Sequence, residues 1–161
     1  MIKIFIASLA DYNEGRLTGK WIELPLPEKE LELTIQSVLG DGEEEFITSY
    51  DASFHVYEHG DVRTLNDFSK KLESLSSCDQ EKVAFLLERC GYSREKALKE
   101  IDDIEFYEGM TLREVAKELV GEGRFGEVAE TIYPFIDFKL IVRELALDHY
   151  YETNKGTFHF C

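Results

Sequence analysis

Two histidines and a glutamate in His55-Val-Tyr-Glu58-His59 carry the H-x-x-E-H spacing of a zinc-peptidase pattern, in which both imidazoles hold one metal and the carboxylate acts as a base. That chemistry needs a helix, because there residues four apart stand one above the other within reach of a single ion. Ser53-Phe-His-Val-Tyr is aromatic and β-branched, and Gly60 follows at once. In an extended chain, at roughly 3.3 Å per residue, the two histidines stand about 13 Å apart, beyond one zinc. We expect them as solvent or turn histidines, and no metal. Gly121-Glu-Gly123-Arg-Phe-Gly126 has the glycines of a phosphate loop without its spacing, and Glu122 would repel phosphate, so it reads as a turn ending a helix. No Ser, Cys or Lys nucleophile stands in a recognisable motif, and carboxylate pairs are too frequent for one to mark a general acid and base. The chain is expected not to be an enzyme, with no cofactor and no small-molecule substrate.

The elements that must carry these residues can be read from periodicity. Residues 2–8 alternate as a first strand, with Ile2, Ile4 and either Phe5 or Ile6 for a buried face. A turn-rich stretch, Asp11 to Gly15, leads to a second strand at Lys20–Leu24. Pro27 opens a helix with Leu31, Ile35 and Val38 as its inner stripe and Gly40 at its end. Phe46 to Ser49 reads as a third strand. From Val62 to Asp102 apolar residues recur every three or four positions, which predicts helices. Glu105–Tyr107 then reads as a strand, Leu112–Val120 and Phe138–Leu147 as helices, and Tyr150–Thr153 with Thr157–Phe160 as a hairpin across Asn154-Lys-Gly156. The expected fold is α+β, in three small lobes: an α+β lobe at 1–61, a helical one at 62–103, and an α+β lobe at 104–161. Lobes this small are marginal alone and must share interfaces or find a second subunit.

Charge narrows the function. The chain carries 33 Asp and Glu against 18 Lys and Arg, a net −15, while 43% of it is hydrophobic. A disordered acidic tail would have few apolar residues, so this charge coats a folded object. Nucleic acid as a direct partner is disfavoured, because its phosphates would be repelled. A cationic partner is favoured. Residues 1–60 hold 12 acids and 4 bases, 61–102 hold 9 and 8, and 103–161 hold 12 and 6, so the outer lobes carry the field. No apolar run is long enough to span a membrane. Cys78, Cys90 and Cys161 form no disulfide framework, which fits a reducing cytoplasm.

Within that field, Glu114, Glu118 and Glu122 lie four apart on one helix, a repulsive stripe of successive carboxylates about 6 Å apart along the axis. Asp41, Glu43, Glu44 and Glu45 form a second cluster. Asp11, Glu14, Glu28, Glu32, Glu127, Glu130, Asp137 and Glu144 complete the acids nominated for partner binding. Phe125, Val128, Ile132 and Phe135, with Ile141, form an apolar set suited to a dimer contact, although most of it is expected to face its own core.

Three stretches add a resemblance. Ile4-Phe-Ile-Ala-Ser-Leu-Ala-Asp-Tyr12-Asn-Glu-Gly15 followed by Leu17-Thr-Gly19-Lys-Trp21 resembles the opening of the ArdA family of antirestriction proteins. Ile47-Thr-Ser-Tyr50-Asp51-Ala-Ser-Phe54 is similar to a second family element, with Ala52 and Ser53 departing from it. Gly126-Glu127-Val128, Phe135-Ile136-Asp137-Phe138 and Arg143-Glu144-Leu145 are similar to the segment associated with antirestriction activity, with Ala129 and Val142 where Pro and Gly are common. The resemblance implies an elongated, three-lobed homodimer in the bacterial cytoplasm. Its acidic surface would imitate bent B-form DNA and occupy the DNA channel of type I restriction–modification enzymes. An acidic module for some other basic DNA-binding protein is the alternative.

Overall fold

The computed structural model describes residues 2–16, 18–40 and 44–160. Among them the chain is α+β, with seven helices and two three-stranded antiparallel sheets. It divides into two compact units, Met1–Ala97 and Leu98–Cys161.

In the first unit the central strand is β1 (Ile2–Ser8), flanked by β2 (Gly19–Leu24) and β3 (Glu45–Asp51). Alternation decides its buried face: Ile2, Ile4 and Ile6 are enclosed, whereas Phe5 faces the other way and meets the Trp21 ring edge-on at 5.6 Å. The register sets Ile2 opposite Leu24 and Ile4 opposite Ile22, so the apolar residues of both strands share one side. Gly19 sits where a Cβ would collide with the Ile6 carbonyl and the Phe5 ring. One expectation is corrected here. The stretch after β1 is not wholly a turn: Leu9–Asn13 forms a short helix, α1, because Ser8 ends the strand in extended conformation and its hydroxyl accepts the Asp11 N–H.

Helix α2 (Glu28–Leu39) turns Leu31, Thr34, Ile35 and Val38 inward. Helices α3 (Val62–Glu73), α4 (Ser77–Glu88) and α5 (Arg94–Lys99) follow, α3 and α4 being capped by Asp61 and Ser76. Buried Asn66 of α3 clamps the backbone of Leu26, accepting its N–H at 2.7 Å and donating to its carbonyl at 3.0 Å. The helical segment is thereby tied to the β2–α2 connection.

The second unit pairs β4 (Ile104–Glu108) and β5 (Tyr150–Thr153) on either side of β6 (Gly156–Phe160). Helices α6 (Leu112–Gly121) and α7 (Phe138–Leu147) build its core from Leu112, Val115, Ala116, Leu119 and Leu145, joined by Tyr150 of β5. Helix α6 starts at a capping box: Thr111 Oγ1 accepts the Glu114 N–H, and Glu114 Oε2 accepts the Thr111 N–H at 2.8 Å. Glu152 of β5 accepts the Leu112 N–H at 2.7 Å and binds the start of α6 to the sheet.

Candidate anionic interface

The nominated acids of the first unit are largely held by arginines. Arg16 reaches Asp11 at 2.8 Å and Glu14 at 2.6 Å, and its hydrogen bond holds the half-buried Asp11 carboxyl below the usual carboxylate range. Arg63, projecting from α3, grips Glu32 of α2 with Nε at 2.6 Å and Nη2 at 2.9 Å, and reaches Glu45 at the start of β3 with Nη1 at 3.0 Å. The fork holds Glu32 low as well. Glu28, in the first turn of α2, and Glu44 are exposed and have no ion-pair partner among the described residues. Asp41 and Glu43 lie outside the described residues.

In the second unit no nominated carboxylate is held by an arginine or lysine among the described residues. Val115, Ala116, Leu119 and Val120 turn α6 onto the core, which leaves Glu114 and Glu118, with Glu122 at the C-cap, on the solvent side. Glu114 is used locally, since its backbone and hydroxyl bonds from Thr111 lower its pKa. Glu118, Glu122, Glu127, Glu130 and Glu144 are exposed, and among the described residues none is ion-paired. Asp137 caps α7 by accepting the Lys139 N–H at 3.0 Å. Glu122, Glu127 and Glu130 line one groove of about 750 Å³, whose apolar wall includes Val120, Val128 and Pro134 and whose aromatic face is Tyr133.

The apolar set departs from expectation. Phe125 and Ile132 are 55% exposed, Val128 36% and Phe135 83%, whereas Ile141 is the member that packs on the core. The backbone between α6 and α7 is turns and one short 3-10 turn at Tyr133–Phe135, with Gly123 and Gly126 at positive φ, so no helix gathers these side chains inward.

His55 and His59 lie in a non-helical stretch. His55 Nδ1 is 3.0 Å from the Tyr50 hydroxyl, and His59 stacks on Phe46. Among the described residues no group of His, Cys, Asp and Glu is placed to hold a metal ion. Cys78 and Cys90 are free thiols, and burial pushes Cys90 up, away from the reactive thiolate. No helix of the described residues is long and apolar enough to cross a membrane.

Sequence reasoning passed over two groups. Asp102, Asp103 and Glu108 are exposed around β4 and extend the bare set; the first two sat in or beside a window whose average charge was near zero. Glu105 is claimed by a network: His159 Nδ1 and the Tyr107 hydroxyl both lie 3.1 Å from its Oε2, with Arg124 at 3.9 Å. The His159 hydrogen bond first of all holds Glu105 low, while burial pushes Tyr107 and Tyr150 up. Strand partners 54 residues apart carry no local signal.

A comparison with protein families finds one match over almost the whole chain: the family described as antirestriction protein (ArdA) matches residues 4–159. No curated protein matches.

Proposed function

The chain belongs to the ArdA family of antirestriction proteins, inhibitors rather than enzymes, and on that premise we propose that its carboxylates take the place of DNA phosphates in the DNA channel of type I restriction–modification enzymes. The observation that carries this reading is the set of unpaired, solvent-facing carboxylates of the second unit, Glu118, Glu122, Glu127, Glu130 and Glu144. Carboxylates with no internal cation are the ones able to meet the Lys and Arg of a DNA channel, with release of the counterions both surfaces hold. No bond is made or broken. Such groups copy a phosphate backbone and not base edges, so inhibition is independent of the enzyme's recognition sequence. The groove beside Glu122, Glu127 and Glu130 suits a long cationic side chain, whose methylene stem lies on Val120 and Val128 while its head meets the carboxylates.

The active species in this reading is a homodimer in the cytoplasm of the bacterial host, three-lobed and elongated as the family resemblance implies. Exposed Phe125, Ile132 and Phe135 supply the contact, with Val128 shared between that contact and the groove. Burying each such side chain contributes about 1.5–3 kcal/mol, which must exceed the repulsion between two copies at −15. Two chains at −15 carry the bare charge of about 15 base pairs.

The test is a restriction assay with purified type I enzyme and unmodified DNA. Competitive occupancy requires the half-inhibiting concentration to rise in proportion to DNA, and two enzymes of unrelated specificity to be inhibited alike. Absence of inhibition, or inhibition that added DNA cannot relieve, overturns the reading. Light scattering checks the dimer: Phe135→Asp is expected to give monomer at micromolar concentration, where the unaltered chain gives dimer.

A further inference from the structure

Arg94 differs from the other arginines of the first unit. Arg16 and Arg63 each hold two carboxylates, and Arg89 is exposed. Arg94 is half-buried, and among the described residues no carboxylate is within ion-pair reach of it. Its guanidinium lies 5.7 Å from the centroid of the Phe68 ring, and burial pulls its pKa below the usual guanidinium range. A chain with 33 carboxylates has left without an anion the one described arginine that is partly withdrawn from water. A partly desolvated cation lacking a counter-charge favours any anion that reaches it.

The place it lines can receive one. Helix α4 ends near Glu88, Gly91 turns the chain at φ +64°, and the Tyr92 N–H returns to the Leu86 carbonyl at 3.1 Å. That turn delivers Tyr92, Ser93 and Arg94 in succession to the wall of a cavity of about 370 Å³, whose remaining walls include Phe54, His55 and Tyr57. The His55 and Tyr57 rings meet edge to face at 4.8 Å. Aromatic surface, the hydroxyl-bearing Tyr57, Tyr92 and Ser93, and one uncompensated guanidinium therefore line a single hollow.

We propose that this cavity binds a small aromatic carboxylate, its ring against Phe54, Tyr57 and Tyr92 and its carboxylate on the Arg94 guanidinium. Volume selects a single-ring ligand, since the hollow lies near the small end of the ~300–1,000 Å³ typical of ligand pockets. Charge selects a monoanion. The surrounding field of a −15 chain repels a ligand in proportion to its charge, and the Glu88 carboxylate accepts the backbone N–H of His55, one of the wall residues. The Ser93 hydroxyl is free to donate to the second carboxylate oxygen while its Oγ accepts the Lys96 N–H at 3.3 Å. The site is independent of the anionic interface and of the antirestriction reading.

The experiment titrates the full chain with phenylacetate, and separately with neutral phenylacetamide, following backbone amide shifts by NMR. Phenylacetate is expected to move the Gly91 and Arg94 resonances with a Kd on the order of 1 mM or tighter, and phenylacetamide to bind at least about tenfold more weakly. Arg94→Gln is expected to weaken the acid by about tenfold or more and leave the amide unchanged, with Arg94→Lys between them. The spectra report whether each variant is folded, and if Arg94→Gln is not, the acid-to-amide ratio on the unaltered chain decides. No shift at these residues up to roughly 20 mM phenylacetate, shifts mapping elsewhere, or equal binding of acid and amide would each overturn the proposal.

Discussion

The two units carry almost the same net charge by sequence, 19 acids against 11 bases in residues 1–97 and 14 against 7 in residues 98–161, yet they present it differently. In the first, Arg16 and Arg63 close on four of the nominated acids, Asp11, Glu14, Glu32 and Glu45. In the second, no arginine or lysine closes on any nominated acid among the described residues, and α6 displays Glu118 and Glu122 from a well-packed platform. Net charge and offered charge are thus separate quantities. An internal guanidinium cements its own fold with a carboxylate that is then worth less to a partner, because the partner's cation must compete for it.

The sharpest way to break this contrast is to neutralise each set and compare. Replacing Glu118, Glu122, Glu127 and Glu130 together by Gln is expected to raise the half-inhibiting concentration in the restriction assay by roughly 100-fold. Replacing Asp11 by Asn and Glu14, Glu32 and Glu45 by Gln is expected to raise it by less than about tenfold. Equal losses would erase the distinction. Salt offers a gentler probe: inhibition by the unaltered chain should weaken as ionic strength rises, and the logarithmic slope should flatten by about one unit or less per bare carboxylate removed, with little change for the paired ones.

Arg63→Ala sharpens the comparison from the other side. It frees Glu32 and Glu45, so potency is expected to improve by roughly two- to threefold, while thermal unfolding registers a loss of up to about 1 kcal/mol after solvent screening. The smallest effect is on acid stability. Glu32 and Glu114 both titrate below their ordinary 4.5, as does Glu105 through His159, so the unfolded chain protonates first as pH falls. Their contribution is complete above that ordinary value and drains away as pH drops from about 4.5 through the lower folded values. Melting followed between pH 6 and pH 3 should show the decline, and Glu32→Gln should make it shallower.

Much of the architecture was legible because it obeys simple periods. The alternation starting at Ile2 and Ile4 and the stripe of Leu31, Ile35 and Val38 point to their elements without help, whereas the choice between Phe5 and Ile6 for the buried face was settled only by the fold. Helix α1 was missed because one residue, Ser8, serves as both the end of a strand and the cap of a helix. The run Phe125, Val128, Ile132 and Phe135 was expected mostly in the core because its side chains are apolar, whereas the turns between α6 and α7 leave them exposed. Of the anionic site, the acids themselves were legible and their pairing was not. Arg16 stands five residues from Asp11, but Arg63 comes back from 31 residues beyond Glu32 and 18 beyond Glu45, a juxtaposition made by packing alone.

The amide of Asn66 has a bearing on how this chain can be taken apart. By serving both polar groups of Leu26 it acts as a surrogate strand edge, lent by a helix to a loop far upstream. Cutting before residue 62 would strand a peptide unit with nothing in place of that amide. Grafts and truncations should therefore keep residues 2–97 whole, and protease resistance of the stretch around Leu26 will report whether α3 is in place.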